Sequence, residues 1–397
     1  MRILHVINHL SNSGNGIVNL AVDLGIEQVK AGHTVAFVSG HGGHEKLLQQ
    51  FGITYYYLDQ TQSPRKLLAA FFGFKDAVAA FQPDIIHAHM RVGLLIGWVW
   101  SRIKRIPLVG HLHNVHDRES LLMGLADRVI AVSSSVRTSI RKQGVPDSKI
   151  RVVLNGTLKS ERLPRRDTAQ PVSLQRPSIT TVAGMNMRKG IEELIAAFNL
   201  VAPDYPNAHL YLVGDGPDRK TFEQQAAQSP HRERIHFEGF QSDPQAYMLA
   251  SDIFVLASRR ESFGLVLTEA REAGCAIIAT DVDGIPEALE GGHAGILIRP
   301  RDPASLAAAL SLLLGDEELR RDWQRKARQN TEHFTAARMA REVEQVYCEL
   351  LPTVRVRGQA PGQARERQPW PSCPTAVQVR MNSVDRKDLP YEKPSGK

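Results

Sequence analysis

The sequence predicts an α/β protein made of two parallel-sheet halves joined by a linker. Three observations carry this. Short apolar runs alternate with helix-period segments through two long stretches, and a polar, unperiodic stretch separates them. A hydrophobic share of 42% over 397 residues supplies enough apolar surface for a core in each half.

The first half opens on the apolar run Ile3–Ile7, followed by Ser11-Asn12-Ser13-Gly14-Asn15-Gly16. A helical stretch runs from Ile17 to Lys30, with Ile17, Leu20, Ala21, Leu24 and Val29 on one face and Gly32 as its stop. Strand Thr34–Ser39, helix Pro64–Phe81, strand Ile85–Ala88, helix Leu94–Ile103 and strands Pro107–Leu112 and Val129–Val132 follow. Strands separated by helices of this length pair in parallel through right-handed crossovers. The half closes at about residue 157.

Residues 158–177 hold three prolines and four arginines without periodicity and read as a linker. The alternation then restarts with strand Ile179–Val182, helix Gly190–Val201, strand Ala208–Val213, helix Asp218–Ala227 and strand Ile235–Phe237. Strand Ile253–Leu256, helix Phe263–Ala273 and strands Ala276–Ala279 and Gly295–Ile298 complete it. From Asp302 to Leu351 the pattern is helical, and the last helix is free to pack back on the first half. Two such halves place a cleft between the carboxyl ends of their sheets, where open α/β sheets bind ligands.

Residues 352–397 differ in character. Seven of these 46 are proline, no hydrophobic period survives, and disorder is the expectation. The segment carries nine Lys and Arg against four Asp and Glu, so +5 of the chain's net +7 sits there. The first 351 residues hold only +2, which argues against a nucleic-acid enzyme. The longest uncharged apolar run, Val92–Trp100, is half of what a bilayer span needs, and the first residues read as a buried strand rather than a signal peptide. Three widely spaced cysteines imply neither a disulfide framework nor a thiolate zinc site, so a reducing cytoplasm is expected.

The most informative constellation is Glu261-Ser262-Phe263-Gly264-Leu265-Val266-Leu267-Thr268-Glu269, directly after a strand. With a helix opening near Phe263, the free amides of Phe263, Gly264 and Leu265 make an anion site. The eight-residue spacing brings Glu261 and Glu269 to about the same face, where each carboxylate accepts hydrogen bonds from sugar hydroxyls. As a bare spacing this is weak, because two glutamates on one helix are common.

Context sharpens it. Glu261 to Ala270, with Ala273-Gly274 after it, resembles the donor-site signature of the retaining family 4 glycosyltransferases, whose fold is the two-domain GT-B arrangement. The opening strand and glycine loop, Pro83-Asp84-Ile85-Ile86-His87-Ala88-His89, Val129–Ser133 and Val153–Gly156 match the same family in order. So do Arg188-Lys189-Gly190, Leu212–Pro217, Phe237–Phe240 and Gly284-Ile285-Pro286-Glu287. The resemblance covers residues 1 to about 350.

It implies a nucleotide diphosphate sugar as co-substrate, no cofactor and no metal. Glu269 is implied to hold the ribose and Glu261 the transferred sugar, with Arg188 and Lys189 neutralising the diphosphate. The resemblance also implies that Gly16 closes onto the donor phosphate from the first domain and that His113 touches the donor sugar at the cleft floor. The acceptor it implies is a glycan or lipid-linked hydroxyl, as in polysaccharide, lipopolysaccharide or glycolipid assembly. One position departs from the family pattern: Met185 stands where an arginine is usual, and the loop to Lys189 is about one residue short.

Other readings compete. Gly14-Asn15-Gly16 follows a strand as a dinucleotide fingerprint does, but Asn19 occupies the third glycine position and Ser39-Gly40 replaces the acidic residue that ends strand two. His111, His113 and His116 have the spacing of a binuclear zinc hydrolase, though Val115 stands where that pattern needs Asp. A non-catalytic nucleotide-sugar-binding protein is a second alternative. His87 and His89 read as packed or positioning residues. Asp281-Val282-Asp283 imitates a metal-binding DxD but reads as a loop variant, and Cys275 as a buried small hydrophobe. The basic, aromatic helix at 64–75 and the Trp98–Arg105 segment raise contact with an anionic membrane surface on the inner face of the cell membrane.

Overall fold

The computed structural model describes residues 1–11, 14–60, 63–114, 118–162 and 170–351. The chain divides into two compact units, Met1–Leu351 and Pro352–Lys397. The expectation of a disordered tail falls on the second unit, outside the described residues.

Two parallel sheets organise the first unit. One is built from β1 (Arg2–His9), β2 (Thr34–Gly40), β3 (Thr54–Tyr57), β4 (Ile85–Ala88), β5 (Leu108–Leu112), β6 (Arg128–Ala131) and β7 (Ile150–Val152). Its order is β3-β2-β1-β4-β5-β6-β7. Its helices are α1 (Gly16–Lys30), α2 (Glu45–Gln50), α3 (Pro64–Phe81), α4 (Arg91–Lys104) and α5 (Ser134–Lys142). The other sheet holds β8 (Ser178–Val182), β9 (His209–Val213), β10 (Ile235–Gly239), β11 (Ile253–Leu256), β12 (Ala276–Thr280) and β13 (Ile296–Ile298), in the order β10-β9-β8-β11-β12-β13. Around it lie α6 (Ile191–Val201), α7 (Arg219–Ala227), α8 (Gln245–Ala250), α9 (Leu265–Ala273) and α10 (Ile285–Ala288). The chain then runs through α11 (Pro303–Gly315), α12 (Glu317–Ala327) and α13 (Ala336–Cys348).

Both sheets share the doubly wound order in which the chain reverses direction between the first and fourth strands, so a crevice opens at each reversal point. β4, β5, β11 and β12 are buried along their whole length, as parallel strands covered on both faces must be. The elements absent from the sequence reading are β3, β7, α2, α5 and the short helices α8 and α10. β3 and β7 are short edge strands with half-exposed residues, and α5 is polar apart from Val136 and Ile140, so hydrophobic periodicity had little to act on.

The final helix does cross back. Met339, Val343 and Tyr347 of α13 join Ile3, Leu20, Leu24 and Val109 in one buried cluster against the first sheet. The start of the linker is also tied down: the Leu158 amide donates to the Phe334 carbonyl, and Ala336 donates to the Leu158 carbonyl (each 3.0 Å). Cys275 is free and buried, as expected.

Candidate active site in the interdomain cleft

A cavity of about 750 Å³ lies between the carboxyl ends of the two sheets. The loops after β1, β8 and β11 reach it, all leaving strands at the two reversal points. Every residue that the family resemblance or the anion-site reading places at the donor lines it: Gly16 and His113 from the first half, and Arg188, Lys189, Glu261, Phe263, Gly264, Leu265 and Glu269 from the second.

The helix in the Glu261–Glu269 motif opens two residues later than expected. Gly264 is the N-cap of α9 with φ +88, a left-handed conformation that L side chains avoid, so the helix cannot extend back through it. The amides free for an anion are therefore those of Leu265 and its successor Val266, which also lines the cleft. Phe263 turns its side chain inward, 2% exposed and 6.1 Å from the Phe334 ring, and anchors the loop. Glu261 sits in the loop, not on the helix, so the shared helical face does not account for its position. A different contact does. Asp283 accepts the Glu261 backbone amide at 3.0 Å. Asp283 has φ +45, a left-handed conformation that a short polar side chain tolerates better than most L residues do. The apparent DxD is thus a loop brace.

The Glu261 carboxylate receives the Lys189 ammonium at 2.5 Å, with side chains only 14% and 16% exposed. Lys189 is positioned by the glycine behind it. Gly190 has φ +68, and a Cβ there would lie 1.9 Å from the Ala257 carbonyl oxygen. Met185 is fully buried in the core of the second half. Its side chain points away from the cleft, so Arg188 and Lys189 supply the cations of this loop.

Glu269 is half-buried in the cleft wall. Burial pushes its carboxyl up to about 7; Arg162 pulls it back, while Asp23 and Glu272 add to the rise. Arg162 belongs to the segment read as a linker and went unnoticed in the sequence. It lines the cleft and holds Asp23 of α1 through two contacts of 3.2 Å. Burial pushes Asp23 up to about 6 against the restraint of Arg162. Nothing local marks Arg162 as a site residue; only the fold brings it beside Glu269.

At the other wall, Asn15 caps α1 by accepting the Ile17 amide at 3.0 Å, and Gly16 begins the helix. A Cβ on Gly16 would lie 3.1 Å from Leu265 Cδ1, so this glycine lets the two halves approach. His113 stands at the end of β5, and burial lowers its imidazole to about 3. Behind it, His5, His87, His89 and His111 from β1, β4 and β5 pack side by side in the sheet centre, at most 2% exposed. His87 and His89 are packed residues, as expected. The nitrogens of His5, His87 and His89, and of His89, His111 and His113, lie within 4.8 Å of one another. This differs from the hydrolase set, whose His116 falls outside the described residues. His5 faces His89 and His89 faces His113 through ring nitrogens 3.0 and 3.3 Å apart, spacings of hydrogen bonds between imidazoles.

Direct contacts join the halves. Ser133 Oγ donates to the Ser262 carbonyl at 2.8 Å, and Ser262 Oγ donates to Asn114 Oδ1 at 3.1 Å. The Glu287 carboxylate accepts the Ser134 amide at 2.8 and 2.9 Å, and that of Ser135 at 3.4 Å. A carboxylate of one half therefore caps the N-terminus of α5 in the other.

Two facing doubly wound domains with a glycine loop on one side and a carboxylate-flanked helix N-terminus on the other define the GT-B class. Solved structures bear this out. The chain aligns with Anabaena Alr3699/HepE in complex with UDP and glucose at TM-score 0.73 and 21% identity, over 88% of this chain and 99% of that one. WaaG, a glycosyltransferase involved in lipopolysaccharide biosynthesis, aligns at TM-score 0.68 and 16% identity, over 87% and 99%. Residues 166–330 match the model "Glycosyl transferases group 1", and residues 14–157 match "Glycosyltransferase Family 4". Among curated proteins, N-acetyl-alpha-D-glucosaminyl L-malate synthase of Bacillus anthracis is 28% identical over 86% of this chain and 95% of its own length. Glycogen synthase of Mycobacterium tuberculosis is 28% identical over 74% and 73%. The chain belongs to the family 4 glycosyltransferases and is an enzyme of the glycosyltransferase class.

Proposed function

We propose that the enzyme transfers a glycosyl unit from a nucleotide diphosphate sugar, bound by the second half, to an acceptor hydroxyl presented by the first. The convergence of Glu261, Lys189, Arg188, Glu269 and the α9 amides on one cleft, opposite Gly16 and His113, carries this reading. Glu269 is suited to the ribose hydroxyls and Glu261 to the hydroxyls of the transferred sugar. The Leu265 and Val266 amides, Lys189 and Arg188 stabilise the charge that grows on the leaving diphosphate, by electrostatics set in place before reaction. This division of labour calls for no metal. The family resemblance favours retention of the anomeric configuration, with the leaving phosphate serving as base. Closure of the cleft favours the acceptor over water.

The Lys189–Glu261 pair is the state without donor. A diphosphate competes for the ammonium and frees the carboxylate for the sugar. Thermal shift against uridine, guanosine and adenosine diphosphates and their sugars tests the donor class. Stabilisation by one series, with turnover lost in Glu261→Ala, is expected; no stabilisation by any of them removes the reading.

The acceptor reading is a glycan or lipid-linked hydroxyl. It draws support from Leu68 and Phe72 on α3 and Ile103 on α4, which are 60%, 54% and 58% exposed beside Arg65, Lys75 and Lys104. Flotation with phosphatidylglycerol vesicles, lost in Leu68→Ser/Phe72→Ser, is the expected result for a membrane-facing surface.

A further inference from the structure

A line of hydrogen bonds runs from the last helix of the first unit to the cleft, through the middle of the first sheet. Tyr347 of α13 accepts from Gln28 Nε2 at 3.1 Å. Gln28 Oε1 accepts from His5 Nε2 at 2.7 Å. His5 Nδ1 faces His89 Nε2 at 3.0 Å, and His89 Nδ1 faces His113 Nε2 at 3.3 Å. Tyr347 also bonds His87 Nδ1, which gives its hydroxyl proton an acceptor. His5 and His89 are near-parallel at 5.2 Å between ring centres, and His89 and His113 at 5.5 Å. The two junctions are alike.

Burial keeps these rings neutral: His5 is lowered to about 4 and His113 to about 3, and His89 lies well below its ordinary value. A neutral imidazole carries one N–H and one lone pair. Each ring in the line therefore donates at one nitrogen and accepts at the other. Fixing one tautomer fixes all three. Gln28 is the residue in the line whose two ends differ chemically, since an amide oxygen only accepts and an amide nitrogen only donates. Its oxygen faces His5, so His5 carries its proton on Nε2 and accepts at Nδ1. His89 must then donate from Nε2 and accept at Nδ1, and His113 must donate from Nε2.

We propose that Gln28, held by Tyr347, is a positioning residue that sets the tautomer of the cleft histidine through His5 and His89. It holds His113 as the Nε2–H form with its lone pair on Nδ1. A ring of unfixed tautomer presents a lone pair in one molecule and an N–H in the next to the same sugar hydroxyl. The line presents one of them always. The C-terminal helix thereby acts on the cleft without touching substrate, through Tyr347. The kinetic consequence rests on the reading of His113 as a sugar contact; the tautomer itself does not.

The test is two-dimensional ¹⁵N–¹H spectroscopy of the full chain labelled at histidine, with His113 assigned by loss of its signals in His113→Gln. The pattern expected in the wild type is a single Nε2–H tautomer for His113. Gln28→Leu and Tyr347→Phe should each give a mixture of both tautomers at His113. Gln28→Glu, whose carboxylate still accepts from His5, should restore the single form. With a turned-over donor, kcat should fall severalfold in Gln28→Leu at little change in KM and recover in Gln28→Glu. A dominant Nδ1–H form in the wild type, or a His113 pattern indifferent to both Gln28→Leu and Tyr347→Phe, overturns the proposal. A lost tautomer with unchanged kinetics upholds the line and overturns His113 as a sugar contact.

Discussion

The Lys189–Glu261 pair gives the sharpest test of the site, because its two members are assigned to different parts of one donor. At 2.5 Å the attraction between the charges is about 6–7 kcal/mol at an effective dielectric of ~20. Each group has given up most of its hydration, which costs several kcal/mol per ion, so the net contribution is far smaller. Residual exposure to the cleft lowers it further. Removing one member leaves the other sheltered and unpaired at a cost of about 1–3 kcal/mol. The double variant Lys189→Met/Glu261→Gln should recover about 1–2 kcal/mol of the summed losses in a urea-denaturation cycle. Binding separates the roles. Glu261→Gln frees the ammonium, so the affinity of a nucleoside diphosphate should rise about tenfold while sugar transfer is lost. Lys189→Met should weaken the same ligand by about tenfold. Isothermal titration with UDP, or with whichever diphosphate stabilises the protein, reads both. Additive unfolding energies together with unchanged diphosphate affinity in Glu261→Gln would refute the reasoning.

Three further outcomes follow from the geometry. The Glu269 carboxyl rises from 4.5 to about 7 on folding, so the folded state holds its proton longer than the unfolded one. The wild type then loses up to about 3 kcal/mol of stability as pH climbs from 4.5 to 7, and Glu269→Gln should not; a constant gap between the two urea curves over that range would dismiss the burial argument. Glu287→Ala removes the carboxylate that caps α5 across the domain junction, for a loss of about 1–2 kcal/mol, and proteolysis in the 158–177 segment should accelerate; an unaltered cleavage rate would show the cap to be dispensable. Gly190→Ala forces a Cβ to 1.9 Å from a carbonyl oxygen and should cost more than ~3 kcal/mol, against about 1–2 kcal/mol for Gly52→Ala, where φ is +71 but space is open. Similar melting temperatures for these two variants would contradict the close approach behind Lys189.

Much of the fold was legible because parallel sheets bury both faces of their central strands. Runs such as Ile253–Leu256 and Ala276–Ala279 are then apolar throughout and stand out against helical spacing. The signal faded at the edges, in β3 and β7, where half the surface meets solvent. In the site, the carboxylates and the cationic loop were legible as a motif in order. The start of α9 was not, because Gly264 stops the helix through its left-handed backbone while the apolar run continues across it.

The sequence by itself placed the candidate site residues on their loops: Glu261 and Glu269 around a helix start, Arg188 and Lys189 after a strand, Gly16 after another. That placement depends on spacing of a few residues, which local geometry converts directly into position, while the roles proposed for these residues come from the family resemblance. Only the tertiary structure decided their partners. Lys189 meets Glu261 across 72 residues, Glu287 reaches Ser134 across 153, and Gln28 reaches Tyr347 across 319. Arg162 became a cleft residue, and Met185 a core one, for the same reason. A side chain's neighbours, and with them its charge, tautomer and burial, are set by contacts between segments whose separation along the chain carries no record of their distance in space.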